Sequence, residues 1–172
     1  MLASRAKLIR LIAFDVDGVM TDGGLYFSDS GEEFKRFNSL DGHGIKMLKA
    51  TGVEVAIITG RTSRCVEARA RNLGIAHVYQ GVENKLEAML DLLNKLKLSR
   101  DAAAYMGDDV VDLTVMRHVG LAISVPEASQ LVHKHSAYVT QRSGGHGAVR
   151  EVCELIMSAQ STLDQQFAPY LQ

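Results

Sequence analysis

Cysteine is scarce: the chain of 172 residues has two, Cys65 and Cys153. Two cysteines cannot build a disulfide framework, so a reduced, cytoplasmic protein is the simpler expectation. An excess of basic charge is missing as well. Lys and Arg number 19 against 20 Asp and Glu, a formal net charge of -1, without the clustered basic face of a dedicated nucleic-acid binder. Long apolar runs are absent, and none approaches the length needed to span a bilayer. The opening stretch, MLASRAKLIRLIAFDVDG, has no long apolar segment ahead of a small-residue cleavage site, so no signal peptide is expected. Repeats and low-complexity tracts are also lacking. A length of 172 residues with 47% hydrophobic and 23% charged residues suits one globular domain over 1–172.

Strand and helix patterns alternate along the chain. Leu8 to Phe14 is an apolar run ending at Asp15, the pattern of a strand buried on both faces. Further strands are expected at Val53 to Ile58, at Val78 and Tyr79, at Ala102 to Met106 and at Leu121 to Val125, the last stopped by Pro126. Helical spacing covers Gly42 to Ala50, Ser63 to Leu73 and Asn84 to Leu96, then Leu113 to Val119 and Gly147 to Ser158. In Asn84 to Leu96 the expected apolar face carries Leu86, Met89, Leu90, Leu93 and Leu96. Strands separated by helices of this length imply parallel pairing through right-handed crossovers, hence a doubly wound parallel α/β sheet. Gly23 to Leu40 breaks the rhythm: Leu25/Phe27 and Phe34/Phe37 flank a polar turn at Ser28 to Gly31, the pattern of an inserted β-hairpin. The tail at 159–172 has few apolar residues and is expected to be extended or mobile.

In open α/β sheets ligands bind beyond the carboxyl ends of the strands. Polar residues collect there in this chain. Asp15 and Asp17 follow the first strand, and Thr59, Gly60 and Arg61 the second. Lys85 opens the long helix, and Asp108, Asp109 and Asp112 follow the fourth strand. So many carboxylates at one edge repel one another unless a cation sits among them. Oxygen ligands without His or Cys favour a hard ion, Mg²⁺, shared with a substrate phosphate. Thr59 and Lys85 would then offer a hydroxyl donor and a point charge to phosphate oxygens. The six histidines form no spaced ligand set, although His43 and His146 lie in glycine-rich segments near the expected site. Cys65, at a helix start, reads as an ordinary helix cysteine.

With these motifs together, D-V-D-G at Asp15 to Gly18, I-I-T-G-R with Thr59, Lys85, and G-D-D-V-V-D at Gly107 to Asp112, the chain resembles the haloacid-dehalogenase-like phosphatase superfamily. The resemblance implies Asp15 as nucleophile and Asp17 as general acid/base, with Thr59 and Lys85 binding phosphate. It also implies Mg²⁺ held by Asp15, Asp108 and the main-chain carbonyl of Asp17. No cap domain fits between these motifs. V-M-T-D-G-G-L-Y, the run Phe34 to Ile45 and G-G-H-G-A-V-R-E at Gly144 to Glu151 narrow the resemblance to the capless 3-deoxy-D-manno-octulosonate 8-phosphate phosphatase family. That implies a phosphorylated sugar acid as substrate, in lipopolysaccharide precursor biosynthesis. It also implies a homotetramer in which the hairpin, and often the tail, closes a neighbour's site. Phosphatases of nine-carbon ulosonates share similar segments and stay open as an alternative, as does a non-catalytic oligomerisation domain of the same fold. Arg61 and Arg150 are candidates for the substrate's carboxylate or phosphate, since Arg suits planar bidentate recognition. Surface ion pairing is the competing reading of both.

Rival readings differ in motif order or in accessories. A response-regulator receiver puts its acidic pair on the first strand and its acceptor Asp in the middle, whereas here the acceptor-like Asp15 comes first and the acidic cluster late. A phosphomutase resembling this superfamily would carry a cap.

Overall fold

A computed structural model describes residues 2–172. Its framework is a six-stranded, wholly parallel sheet. Strand β1 (Leu11–Phe14) is flanked by β4 (Glu54–Ile58) on one side and β6 (Ala103–Gly107) on the other. Beyond β4 lies β5 (His77–Tyr79), and beyond β6 lie β7 (Leu121–Ser124) and β8 (Tyr138–Val139). The order β5-β4-β1-β6-β7-β8 reverses direction at β1, which opens a crevice at the carboxyl ends of β1 and β6. All four residues of β1 are fully buried, as a central parallel strand with layers on both faces requires.

The helices that cover the sheet are α1 (Leu2–Leu8), α2 (Ser39–Ala50), α3 (Arg64–Leu73), α4 (Lys85–Leu96), α5 (Leu113–Met116), α6 (Gln130–Lys134), α7 (Ala148–Ala159) and α8 (Leu163–Phe167). Helix α7 buries Val149, Val152, Cys153 and Ile156, a stripe at helical spacing, and packs on α2 and α1. Asn38 caps α2 by accepting from the amides of Leu40 and Asp41. Gly74 closes α3 in the left-handed region at φ 65°.

The short strands β2 (Tyr26–Phe27) and β3 (Glu33–Phe34) form the expected hairpin, with Tyr26 opposite Phe34 and Phe27 opposite Glu33. Its turn is closed by Ser28 N–H to the Glu32 carbonyl and by Gly31 N–H to the Ser28 carbonyl. Among the described residues only a helical turn at Val16–Met20 and this hairpin lie between β1 and α2, and no cap domain is present.

Four expectations need correction. The first apolar run does not begin a strand at Leu8: residues 2–8 are helical, burying Ala6, and pairing starts at Leu11. In α4 the buried face carries Lys85, Ala88, Met89, Leu92 and Leu93, whereas Leu86, Leu90 and Leu96 are only partly buried. Turning Lys85 inward toward carboxylates rotates the face by one position. Helix α6 and the two-residue strand β8 were not expected, being too short for periodicity to register. The tail is not extended: α8 and a turn at Ala168–Tyr170 follow α7, and Leu163 and Phe167 pack on the core.

Candidate active site

Asp15 leaves β1 with its amide donating to the Met106 carbonyl of β6 at 3.0 Å, so the switch point itself fixes its backbone. The chain then turns sharply. Asp17 has φ -72° and ψ 118°, and Gly18 sits at φ 89°. Thr21 Oγ1 accepts from the amides of Gly18 (3.3 Å) and Gly23 (3.2 Å), closing the loop. Gly18 is required on two counts. Its φ is disfavoured for other residues, and a Cβ there would run into the Asp108 carboxylate.

Thr59, 3% exposed, follows β4, its amide bonded to the Tyr79 carbonyl. Lys85 is the first residue of α4, where the Asn84 side chain caps the helix. Its Nζ lies 2.7 Å from Asp112 Oδ1 and 3.1 Å from Asp15 Oδ2. Asp108 follows β6. Asp15, Asp17, Thr59, Gly60, Arg61, Lys85 and Asp108 therefore share one cavity of about 260 Å³, walled further by Asp109 and Val111.

Asp112 is the residue whose importance sequence reading understated. It is fully buried, and its Oδ1 accepts from Lys85 and from the Tyr105 hydroxyl, each at 2.7 Å. Its Oδ2 accepts from the amides of Asp108 (3.0 Å) and Asp109 (3.2 Å). The third acid of G-D-D-V-V-D thus builds the loop that aims Asp108 and anchors Lys85.

Burial, then repulsion from Asp112, pushes the Asp15 carboxyl up to about 6, against the pull of Lys85. Burial, then repulsion from Asp15 and Asp112, pushes Asp108 up to about 7. Burial works against the charge on Lys85, but Asp15 and Asp112 outweigh it and its pKa is raised. Oxygens of Asp15, Asp108 and Asp112 lie within 4.8 Å of one another. Because Asp112 is engaged by four donors, Asp15 and Asp108 are the carboxylates left to face a cation. Crowded, mutually repelling, oxygen-only donors fit Mg²⁺.

The remaining candidates divide. Arg61 lines the cavity and is engaged there, with Nε 3.6 Å from Asp17 Oδ2 and an Nη 3.2 Å from Glu33 Oε1. Arg150 is not brought to the cavity. It pairs with Glu154 along α7 and borders a separate hollow with Leu40 and Arg142. His43 packs edge-on against Tyr170. His146 bridges Arg36 and the Gly144 carbonyl, which assigns the proton to Nδ1. Cys65 donates to the Glu33 carbonyl and so ties the hairpin to α3. Lys35 was missed altogether. Its Nζ is 2.5 Å from Asp17 Oδ1, a contact between residues 18 apart in sequence that only the hairpin's fold-back creates.

Residues 74–152 match the haloacid dehalogenase-like hydrolase family. The 3-deoxy-D-manno-octulosonate 8-phosphate phosphatase KdsC of Escherichia coli K12 is 49% identical over 162 residues, covering 94% of this chain and 86% of that protein. A crystal structure of a probable YrbI family phosphatase from Pseudomonas syringae superposes with a TM-score of 0.98 at 51% identity, covering 99% of this chain and 97% of that one. The Moraxella catarrhalis 3-deoxy-D-manno-octulosonate 8-phosphate phosphatase, solved with magnesium, phosphate and KDO, gives 0.97 at 44% identity, covering 98% and 97%. Near-complete coverage at such identity, with a matching fold, makes this chain a member of the 3-deoxy-D-manno-octulosonate 8-phosphate phosphatase family.

Proposed function

We propose that the chain hydrolyses 3-deoxy-D-manno-octulosonate 8-phosphate to the free sugar acid and inorganic phosphate, as a Mg²⁺-dependent phosphomonoesterase supplying lipopolysaccharide precursors. The observation that carries this reading is the convergence of Asp15, Asp17, Thr59, Lys85 and Asp108 on one cavity in a chain that resembles an enzyme solved with magnesium, phosphate and that sugar acid.

Asp15 and Asp108, with the main-chain carbonyl of Asp17, would hold Mg²⁺, which supplies charge neutralisation for a phosphoryl group in flight. The chain's own residues do the rest. Asp15 attacks phosphorus in line, forming an aspartyl-phosphate as the bond to the sugar oxygen breaks. Asp17 gives its proton to that leaving oxygen, then takes one from the water that hydrolyses the acyl phosphate. Lys85, buried and held by Asp112, stabilises negative charge on the phosphoryl oxygens without reorganising. Thr59 and the Gly60 amide contribute donors to the same oxygens. Arg61 is the arginine bordering the cavity and faces the sugar acid's carboxylate.

The working form is a homotetramer in the cytoplasm, with sites completed by neighbouring hairpins. Leu25, Tyr26, Phe27 and Phe34 are each 44–56% exposed, more large apolar surface on one hairpin than isolated small domains usually present. No helix among the described residues is long and apolar enough to cross a membrane.

Phosphate release from a panel of phosphorylated sugar acids, with Mg²⁺ or with EDTA, tests the reading. The eight-carbon substrate should give the highest kcat/KM and EDTA should stop turnover. A higher kcat/KM for a nine-carbon ulosonate phosphate would move the assignment to that sugar, and full activity after chelation would remove the metal.

A further inference from the structure

Lys35 stands on the hairpin, the most exposed part of the fold, yet its side chain is 1% exposed. Its neighbours Tyr26, Phe27 and Phe34 are about half exposed. A lysine so placed ordinarily lays its stem on the surface and carries its ammonium to water. Burying that ammonium costs several kcal/mol unless carboxylates replace the water. Here the Glu33 carboxylate, shared with Arg61, lies at 3.2 Å through Oε1, and Asp17 Oδ1 accepts from the ammonium at 2.5 Å.

The direction of approach matters as much as the distance. The reaction cavity is lined by Asp17 and Arg61 but not by Lys35. Lys35 reaches Asp17 Oδ1 from the hairpin, while Arg61, which shares Glu33 Oε1 with it, lies 3.6 Å from the other oxygen, Oδ2. The two carboxylates of D-V-D-G are thus served by separate buried lysines, Asp15 by Lys85 from α4 and Asp17 by Lys35 from the hairpin.

We propose that Lys35 is the positioning residue of Asp17. By holding Oδ1, it fixes the carboxyl plane so that Oδ2 faces the leaving oxygen of the substrate. Lys35 itself neither gives nor takes a proton and does not touch substrate. The proton moves from Asp17 to the leaving oxygen as the phosphorus–oxygen bond breaks and the bond to Asp15 forms. The hairpin consequently does more than cover the site: any displacement of it withdraws Lys35 and misaims proton transfer. This inference rests on the reading of Asp17 as the acid/base.

The test uses two small esters of nearly equal size, phenyl phosphate and p-nitrophenyl phosphate, which avoid sugar contacts. Phenolate is the poorer leaving group and needs the proton more. In Lys35→Met, kcat/KM should fall at least ~10-fold further for phenyl phosphate than for p-nitrophenyl phosphate, less than the roughly 10²–10⁴ that general acid catalysis contributes in full, because Asp17 itself remains. Lys35→Arg should recover most of that difference, and Asp17→Asn should show the same leaving-group pattern more strongly. An equal loss on both esters, or none, would overturn the proposal, since a merely structural lysine does not sense the leaving group. If Lys35→Met does not fold, Lys35→Arg and Lys35→Gln carry the comparison, and failure of all three to fold would make the role structural and overturn it too. Leaving-group dependence in Asp17→Asn without it in Lys35→Met removes Lys35 alone. Its absence from Asp17→Asn removes the acid/base reading and the proposal together.

Discussion

Lys85 and Asp112 form an ion pair of 2.7 Å in which the carboxylate is wholly buried and the ammonium nearly so. The pair joins the first residue of α4 to the loop after β6, and its Asp112 end also receives Tyr105 and two loop amides. Removing Asp112 leaves Lys85 with Asp15 alone and takes the acceptor from the buried Tyr105 hydroxyl and the two loop amides.

Asp112→Ala should therefore destabilise the protein by about 1–3 kcal/mol, the usual cost of leaving buried hydrogen-bonding groups unpaired. Urea unfolding of the metal-free protein, followed by circular dichroism, reads this directly. A loss under about 1 kcal/mol would place the pair among surface-like contacts of little worth.

Gly18→Ala tests the close approach of the nucleophile loop to Asp108. A methyl group at Gly18 collides with the Asp108 carboxylate and strains a backbone at φ 89°. Mg²⁺ affinity measured by calorimetry should fall by roughly 10–100-fold, the range seen when groups that orient metal ligands are lost. Parent-like affinity would show that the loop relaxes freely.

Much of this arrangement was legible in the sequence, and the reason is local. Asp15, Thr59, Lys85 and Asp108 each sit at the end of a regular element whose apolar pattern is strong, so their convergence follows from strand order alone. What escaped depends on contacts between distant segments. Lys35 reaches Asp17 only because the hairpin folds back, and Asp112 reads as one acid among three until Tyr105 and Lys85 are seen to share its oxygen. Leu163 and Phe167 did carry a signal, an i,i+4 apolar pair, but its single turn was too short to outweigh the polar residues around it.

The raised carboxyls give a pH dependence of definite sign. Asp15 at about 6 and Asp108 at about 7 in the metal-free protein both lie above the ordinary 3.8 of an unfolded aspartate. Between those values the native state binds more protons than the unfolded chain, so their contribution to stability falls as pH rises from about 4 to 7. Mg²⁺ binds the deprotonated pair and should reverse that loss. The rise in Tm on adding saturating Mg²⁺ should be larger at pH 8 than at pH 5.5. Differential scanning fluorimetry checks it, and equal shifts at both pH values would count against Asp15 and Asp108 as the ligands.

Phe27→Glu addresses assembly. Placing a charge in the exposed apolar hairpin should dissociate the proposed tetramer while leaving the sheet intact. Light scattering at micromolar concentration should give a mass near four times 18.8 kDa for the parent and a smaller one for the variant. A parent mass of 18.8 kDa would mean that the hairpin serves its own domain only.

The central claim is that Asp15 becomes phosphorylated by a sugar acid phosphate. Acid quenching within the first turnover, with substrate labelled at phosphorus, followed by counting label on the protein, tests it most directly. The parent should carry an acid-stable, hydroxylamine-labile phosphoryl group when Mg²⁺ is present, and Asp15→Asn should carry none while its turnover drops at least ~10³-fold. Label on Asp15→Asn, or turnover by it near the parent rate, would contradict the account.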